Sequence, residues 1–450
     1  MQTRSTIGQQ DEAKIFVVDP RTPSRYCTCG NDHAVPEVKL CSSPRAFAVL
    51  TRDCRQWLAE RSVLIVDDEN THVAAGKSIA KRFADAAICF EQITLPGDLS
   101  VSEEMARSVA EKAGGHGLIL AVGAGSVNDT GKYAATLAKM PYWTVPTAPS
   151  MNGYTSAIAA VKISGVKRTL PASPPVYVYA DPAVISYAPG RLTQAGYCDI
   201  MAKSVSDVDW QCESLLFSGS YCALPSAIVA EAEAGCIGSP EKIAQGDEAA
   251  VMGLFKGLLI SGVSMTLAGS SAPASGGEHL VSHFLDMREP LTGRVPELHG
   301  LQVGAGIILS AVCYQRLAEL TERKLNVDAT RLFDADAARI SGVWGKYSAE
   351  VEKQFLQKRD SLLSLNRLMP ARWGELNTLF SRVRSPEFFM DIFRRVGCDL
   401  SLGVLRLNRE EFLQAAETAR MIRNRITVLD LAAHAGILKD AARQTLALLS

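Results

Sequence analysis

The stretch that decides the fold is GLILAVGAGSVNDTGKYAATLA, residues Gly117–Ala138. Its first part is a continuous apolar run, which is typical of a strand buried in a parallel sheet, and its last part has helical spacing. Between them, the small residues Gly123, Gly125 and Ser126 would let backbone N–H groups approach a phosphate at the start of a helix beginning near Val127. The spacing lacks the full GxGxxG pattern, so both a diphosphate-binding loop and an ordinary tight turn are consistent with it.

A strand and helix before this stretch extend the same pattern. Residues 62–86, SVLIVDDENTHVAAGKSIAKRFADA, contain a buried run at Val63–Val66 and then an amphipathic helix. Asp67 follows the run, where a carboxylate can accept hydrogen bonds from an adenosine ribose or, alternatively, cap the next helix. The strand signal ends before residue 189, and long helical patterns follow. We therefore predict an α/β Rossmann-like dinucleotide-binding domain over residues 1–188, with a short cysteine-containing extension, and an all-α domain over residues 189–450.

Composition limits the classes of function. The 450 residues are 47% hydrophobic and 21% charged, with a formal net charge of -1. This balance provides no global field for nucleic acid, so a small molecule is the expected partner. The eleven cysteines form no regular framework and no apolar leader opens the chain, which predicts free thiols in the cytoplasm. The apolar runs are too interrupted for a membrane span, and none is predicted.

An early CTCG sequence at Cys27 to Gly30, followed by His33 and Cys41, raises the question of zinc. The CxC spacing is tighter than that of the usual structural zinc pairs. A turn between two short strands is therefore the favoured interpretation.

A second informative stretch, residues 275–300, reads SGGEHLVSHFLDMREPLTGRVPELHG and holds three of the seven histidines. His279 and His283 are four residues apart, so a helix would place both imidazoles on one face. The prolines and glycine that follow predict a loop that could bring His299 back to the same place. Neighbouring imidazoles bind metal or move protons, although capping and packing would also explain them.

Asp199 lies within an otherwise apolar helical pattern. A carboxylate on a buried face needs a partner. It could pair with Lys203 one turn later, or it could join the histidines as a metal ligand.

With these pieces in place, the chain resembles the glycerol-1-phosphate dehydrogenase branch of the iron-containing alcohol dehydrogenase and dehydroquinate synthase superfamily. Each matching motif is weak alone, but six in the expected order are specific. The early CTCGNDH also resembles a short cysteine-rich hairpin of that branch. The six motifs are AVGAGSVND (121–129), VPTAPSMNGYTS (145–156), ADPAVI (180–185), GYCDIMAKSVSDVDW (196–210), PASGGEHLVSHFLDM (273–287) and ELHG (297–300).

The resemblance implies a dehydroquinate synthase-like fold and a set of site residues. Asp199, His279 and His299 would bind the metal, which would be Zn²⁺ or alternatively Ni²⁺ or Fe²⁺. Asp199 and His283 would be catalytic, with His283 contacting substrate and relaying a proton. Asn152 and Lys167 would also contact the substrate. Contacts to NAD or NADP would come from Asp67, Gly123, Gly125, Ser126, Asn128, Asp129, Thr147, Ser150 and Ser156.

Two positions depart from the pattern of that branch. Ala124 stands where a glycine is usual, which adds a methyl group that the loop should tolerate. Asn152 stands where a substrate-binding aspartate is usual, and an amide loses the charge and replaces one acceptor with a donor. The substrate could therefore be a related polyol phosphate, a sugar derivative or another carbonyl compound.

The function that the resemblance implies is metal-dependent, NAD(P)-linked interconversion of sn-glycerol 1-phosphate, or a related polyol phosphate, and dihydroxyacetone phosphate, as in phospholipid metabolism. The alternatives are a dehydroquinate synthase-like cyclase or lyase with transient NAD redox, a dehydrogenase of another polyol or sugar derivative, and a catalytically silent relative. Analogy with relatives also implies a homo-oligomer.

Overall fold

The protein is described here by a computed structural model that covers residues 14–17, 27, 29, 33, 37–58, 61–321 and 328–450. Backbone packing divides the chain into two compact units. The first contains residues 1–196 and 227–270, and the second contains residues 197–226 and 271–450. The predicted functional domains, 1–188 and 189–450, remain a prediction. Packing groups the helices of residues 227–270 with the first unit.

The first unit is built on a mostly parallel sheet. Its described strands are β1 Lys14–Val17, β2 Lys39–Ser42, β3 Ser62–Asp68, β4 Phe90–Leu95, β5 His116–Gly123, β6 Tyr142–Pro146, β7 Ile158–Ile163, β8 Val166–Pro171 and β9 Tyr177–Ala180. Seven of them form one sheet in the order β1-β2-β9-β6-β5-β3-β4. Only the β1–β2 pair in this sheet is antiparallel.

Helices cover both faces of this sheet. The side chains of β3 alternate between two cores: Val63 and Ile65 lie in one, and Leu64 and Val66 lie in the other. Burial on both faces explains why the predicted strand is a continuous apolar run. The covering helices are α1 Ala46–Leu58 and α2 Lys77–Asp85 on one face, and α3 Glu103–Lys112 and α4 Gly125–Ala138 on the other.

Strands β7 and β8 form a separate antiparallel hairpin. Ser164 and Gly165 form its turn with φ values of 50° and 81°, the left-handed conformations that a tight hairpin turn requires. Lys162 lies directly opposite Lys167, so both project from one face, whereas Arg168 projects from the other. The basic residues of this segment are therefore divided between two faces.

The described residues after β9 are mainly helical, as predicted. The helix Gly277–Thr292 carries two of the three clustered histidines, and the next helix begins at His299. The described helices are α5 Pro182–Ser186, α6 Gly190–Met201, α7 Lys203–Phe217, α8 Ala223–Ile237, α9 Pro240–Ala244, α10 Glu248–Ala268, α11 Gly277–Thr292, α12 His299–Ala318, α13 Ala329–Trp344, α14 Ser348–Gln357, α15 Arg359–Ala371, α16 Trp373–Phe380, α17 Pro386–Arg395, α18 Arg409–Thr418, α19 Val428–His434 and α20 Leu438–Leu448.

Two of the described helices, α10 and α12, are long and apolar enough to cross a membrane. In the protein, 72% of the most apolar window of α10 and 83% of that of α12 are buried. Core helices have this combination of length, composition and burial. The absence of a membrane span remains a prediction.

Candidate active site

Three side chains from three helices converge in the second unit. Asp199 lies near the end of α6, His279 lies in the first turn of α11, and His299 is the first residue of α12. Their ligand atoms all lie within 4.8 Å of one another, and His279 Nε2 is 3.3 Å from Asp199 Oδ1. The three ligands predicted from the sequence are therefore neighbours in the fold.

Glu278 determines where His279 carries its hydrogen. Glu278 Oε1 lies 2.8 Å from His279 Nδ1 and accepts the backbone N–H of Gly276 at 2.6 Å. A carboxylate that faces these two groups acts as an acceptor, so Nδ1 carries the hydrogen and Nε2 is directed toward Asp199. Burial alone lowers the pKa of His279, but hydrogen bonds with Asp199 and Glu278 raise it to about 9. The surroundings of Nε2 therefore favour a positive charge there.

A chain of buried side chains orients His299 in the same way. Gln302 Nε2 donates to the carbonyl oxygen of Glu297 at 2.9 Å, which fixes the orientation of the amide. Gln302 Oε1 then accepts the hydroxyl hydrogen of Ser282 at 2.7 Å. Because that hydroxyl has donated its only hydrogen, its oxygen accepts the Nδ1–H of His299 at 2.7 Å. The lone pair of His299 is therefore on Nε2.

Two glycines allow carboxylates to approach the start of α11. The backbone N–H of Gly277 donates to Asp209 Oδ2 at 2.6 Å, and a Cβ at Gly276 would lie 2.4 Å from that oxygen and 2.8 Å from Glu278 Oε2. Burial and the nearby charge of Glu278 raise the pKa of Asp209 to about 7. The two glycines thus let the carboxylates of Asp209 and Glu278 accept N–H groups at the start of a helix, where such groups lack partners within the helix.

The helices that carry His279 and His299 pack in close contact. A Cβ at Gly306 of α12 would lie 2.3 Å from the carbonyl oxygen of Glu278 on α11. Only a residue without a side chain permits this approach. Gly306 therefore helps set the spacing between the two imidazoles.

His283 lies beside the ligand set, four residues after His279. Its ring centroid is 5.7 Å from that of His299, with an angle of 26° between the planes, and 6.2 Å from that of His279. The ligand atoms of His283, Asp286 and His299 also lie within 4.8 Å of one another. This position suits proton transfer, although the predicted role of His283 remains a proposal.

The donor set fits a divalent ion. One carboxylate and two imidazoles, each with Nδ1 hydrogen-bonded and Nε2 directed inward, match catalytic sites that keep coordination positions open. Lys203, the alternative partner for Asp199, places Nζ 2.9 Å from Asp207 Oδ1. Both roles considered for Asp199, as a partner of Lys203 and as a metal ligand, remain predictions.

In the first unit, the glycine-containing turn joins β5 to α4. A Cβ at Gly123 would lie 2.5 Å from Val127 Cβ, so the turn requires glycine there. Helix α4 begins at Gly125, two residues earlier than predicted. Ala124 has φ -81° and ψ -163°, an extended conformation open to any residue, so its methyl group is tolerated. Alanine cannot cap a helix, and the first N–H groups of α4 need acceptors from elsewhere, such as a phosphate.

Lys132 anchors the loop that follows β6. Its fully buried Nζ donates to the carbonyl oxygens of Gly153 and Ile158, the latter at 3.1 Å, and lies 3.8 Å from Asp129 Oδ1. Asp129 Oδ2 accepts the backbone N–H of Ala160 at 3.1 Å. Burial raises the pKa of Asp129 and lowers that of Lys132. This pair fastens α4 to the loop and to the β7–β8 hairpin.

Asn128 and Ser156, both predicted cofactor contacts, are fully buried. Asn128 Oδ1 accepts the hydroxyl hydrogen of Tyr142 at 2.6 Å, and its Nδ2 donates to Asp129 Oδ1 at 3.2 Å. Ser156 Oγ lies 2.9 Å from the carbonyl oxygen of Gly153. These side chains stabilise the loop and the turn, and their contacts to a cofactor remain a prediction.

Three other predicted positions lie on the loop after β6. The backbone N–H of Thr147 donates to the carbonyl oxygen of Gly123 at 3.3 Å, which places the loop beside the glycine turn. Ser150 Oγ lies 3.2 Å from the hydroxyl of Tyr154, and Asn152 is 9% exposed. The loop thus follows the carboxyl end of a parallel strand, where α/β sheets bind ligands.

Asp67 is held by protein donors at the end of β3. Oδ2 accepts from Gln92 Nε2 at 2.6 Å and lies 3.0 Å from His72 Nδ1, and Oδ1 accepts from the Thr94 hydroxyl at 2.8 Å. The capping role considered for Asp67 belongs to Asp68, which caps the following helical turn. The Asp67 side chain is 0% exposed, and its contact to a ribose remains a prediction.

The side chains that surround the predicted ligands were not singled out from the sequence. Glu278, Ser282 and Gln302 orient the imidazoles, Asp286 joins His283, and Lys132 holds the loop. Helical spacing could have indicated two of these neighbours, because Ser282 and Gln302 each follow a predicted ligand histidine by three residues, about one turn.

Comparisons with known proteins agree with this architecture. Residues 47–189 match the family model described as iron-containing alcohol dehydrogenase. The chain is 33% identical over 317 residues to the glycerol-1-phosphate dehydrogenase [NAD(P)+] of Geobacillus thermodenitrificans, covering 68% of this chain and 78% of that protein. It is also 33% identical over 271 residues to the protein of the same name from Methanothermobacter thermautotrophicus, covering 60% and 76%. Glycerol dehydrogenase of Schizosaccharomyces pombe has the same fold, with a TM-score of 0.58, 14% identity and coverage of 91% and 90%.

Proposed function

Because the chain belongs to the iron-containing alcohol dehydrogenase family, among relatives named glycerol-1-phosphate dehydrogenase, we propose that it is a metal-dependent, NAD(P)-linked oxidoreductase of sn-glycerol 1-phosphate or a related polyol phosphate. Its product in the oxidative direction would be dihydroxyacetone phosphate. The observation that carries this proposal is the convergence of Asp199, His279 and His299, with their ligand atoms within 4.8 Å.

Asp199, His279 and His299 would hold a divalent ion, which supplies Lewis acidity that lowers the pKa of a substrate hydroxyl or polarises a ketone. Glu278 and Ser282 keep both Nε2 lone pairs directed inward. Zinc, nickel and ferrous iron all suit one carboxylate and two imidazoles, so metal analysis has to decide among them.

His283 would hold the proton that leaves the substrate hydroxyl. Its ring lies 5.7 Å from that of His299, close enough to reach a group beside the ligand set. Asp286, one turn further along α11, would orient His283 and balance its charge while it is protonated.

The first unit would bind the nicotinamide cofactor. Backbone N–H groups of Gly125 and Ser126 at the start of α4 would bind its diphosphate, with Thr147 and Ser150 contributing from the loop held by Lys132. NAD and NADP are both candidates. A homo-oligomer, a cytoplasmic location and the Lys167 contact to a substrate phosphate are part of the same proposal.

Asn152 is where the choice of substrate can be tested. A neutral amide binds a polyol hydroxyl more weakly than a carboxylate acceptor does. If glycerol 1-phosphate is the substrate, Asn152→Asp should lower its KM by about 10-fold, a gain of roughly 1.4 kcal/mol from a charge-assisted hydrogen bond. A KM that rises instead would indicate a different substrate.

The deciding experiment follows the oxidation of NADH and of NADPH by metal-loaded protein in the presence of dihydroxyacetone phosphate. His279→Ala and chelator-treated wild-type protein are the controls. We expect consumption of one cofactor by wild type, near-complete loss in both controls, and recovery of the chelated protein when metal is restored. Net consumption also separates a dehydrogenase from a cyclase that returns its cofactor unchanged. Wild-type protein that binds metal and cofactor but consumes neither cofactor would refute the assigned reaction.

A further inference from the structure

A second group of ligand-type side chains lies in the first unit, outside the site described above. His33 Nε2 is 3.1 Å from Cys27 Sγ and 3.1 Å from Cys29 Sγ, and these atoms all lie within 4.8 Å of one another. His33 is 2% exposed, whereas both cysteines are half-buried. Two sulfur atoms and one nitrogen therefore meet at one point.

The other ring nitrogen fixes the orientation of His33. Its Nδ1 lies 2.8 Å from the carbonyl oxygen of Leu267, which can only accept, so Nδ1 carries the hydrogen. Leu267 lies in the last turn of α10, where helical carbonyl groups lack partners within the helix. Metal-binding histidines usually donate their second N–H in this way, which leaves the lone pair of Nε2 directed at the two sulfur atoms.

Hydrogen bonding alone does not account for both sulfur contacts. A neutral Nε2 has one lone pair and can accept one thiol hydrogen, yet two sulfur atoms lie at the same distance. A protonated Nε2 has only one hydrogen to donate, so it also forms a full hydrogen bond with only one of the two sulfur atoms. A cation shared by all three groups accounts for both contacts. Moreover, Cys27 Sγ lies 3.4 Å from the backbone N–H of Cys29, a donor that stabilises a thiolate.

We propose that Cys27, Cys29 and His33 bind a structural zinc ion. Thiolate and imidazole donors suit tetrahedral zinc, and a fourth position remains for another ligand. The ion would link Cys27 and Cys29 to the end of α10 through the His33–Leu267 hydrogen bond. The sequence favoured a turn between two short strands and kept zinc as the alternative, and residues 28 and 30–32, which would belong to that turn, lie outside the described residues.

Metal content of the full-length protein tests this proposal. Wild type loaded with zinc should retain two ions per chain, and Cys27→Ser/Cys29→Ser should retain one. The matched control is Cys89→Ser, because Cys89 is an exposed cysteine, and it should retain two. An unchanged zinc content in the double variant would overturn the proposal.

A spectroscopic measurement covers the case in which the double variant does not fold. His279→Ala protein loaded with cobalt should show sulfur-to-cobalt charge-transfer absorption in the near ultraviolet, because the remaining site contains two thiolates. The absence of that absorption in folded His279→Ala protein would also overturn the proposal. Since His279→Ala is expected to lose activity but keep this absorption, failure of the structural site and failure of the proposed function can be told apart.

Discussion

Glu278→Gln tests whether the partner of a ligand histidine controls metal affinity. The substitution preserves the shape of the side chain but replaces a charged acceptor with a neutral one at the 2.8 Å contact to His279 Nδ1. Substitutions of such outer partners typically cost about 10–100-fold in metal affinity. Because an amide oxygen can still accept the Nδ1–H, we expect the lower end, about 10-fold or roughly 1.4 kcal/mol.

The same substitution should not destabilise the chelated protein. The charge of Glu278, after burial, is the next cause of the raised pKa of Asp209. Removing that charge relieves repulsion from Asp209, but it also removes a favourable interaction with His279, whose pKa Glu278 helps to raise. Because these two effects oppose each other, the melting temperature measured in chelator at pH 8 should change little. Weaker metal binding together with undiminished stability is an outcome that simple misfolding cannot produce.

The assay is a metal titration of chelator-treated protein against a chromophoric competitor. It is best done in the Cys27→Ser/Cys29→Ser background, so that a single class of site is titrated. Glu417→Gln is the control, because Glu417 pairs with Arg339 at the surface of the same unit and should leave metal affinity unchanged. Equal metal affinities of Glu278→Gln and wild type would refute the reasoning.

Three further predictions concern packing, a buried ion pair and acid stability. Gly306→Ala should lower the stability of the second unit by about 1–3 kcal/mol through overpacking and weaken metal binding. The control is Gly342→Ala, which should be neutral or stabilising because an added Cβ at this helical site has nothing within 4 Å. Similar melting temperatures for the two variants would contradict this prediction. Lys132→Met should lower the free energy of unfolding, measured in urea, by about 3–5 kcal/mol because it leaves Asp129 buried without its cation. Adding Asp129→Asn should recover much of this loss, and no recovery would argue against the ion pair. Burial lowers the pKa of His434 from 6.5 to about 4, so the folded state binds fewer protons than the unfolded state between these pH values. The free energy of unfolding of the wild type should therefore fall by about 3 kcal/mol as the pH falls from about 6.5 to 4. A His434→Gln variant with the same pH dependence would exclude His434 as the source.

The sequence predicted the fold where a single physical cause determined the pattern. Val63–Val66 is apolar throughout because β3 is buried on both faces, and its short length and β-branched residues favoured a strand over a buried helix. Helical spacing and the chemistry of imidazole singled out the three clustered histidines, whereas the assignment of His279 and His299 as ligands came from the resemblance to a known family and stays a prediction. In contrast, helical periodicity did not reveal that residues 227–270 pack with the first unit, since it indicates a buried face but not its partner.

The supporting residues of the site were harder to find because their roles depend on side-chain direction. Glu278 adjoins His279 in sequence, but nothing in the order of letters shows that its carboxylate turns back to Nδ1. Lys132 resembles an ordinary helical lysine until the loop after β6 folds over it. The contact between His33 and the carbonyl oxygen of Leu267 could not be predicted for a related reason, because spacing rules describe neighbours along the chain and not a group more than two hundred residues away.

The buried chain Glu297, Gln302, Ser282 and His299 has a consequence for how this protein can change over generations. Ser282 and Gln302 each act as both donor and acceptor, whereas Glu297 contributes its backbone carbonyl oxygen and His299 its Nδ1–H, so a mutation at position 282 or 302 alters what the neighbouring side chain must supply. Replacing Gln302 alone removes an acceptor and a donor together, and only a second replacement nearby restores the pairing. Homologues that retain His299 as a ligand should therefore vary at positions 282 and 302 together, so that drift there proceeds in pairs.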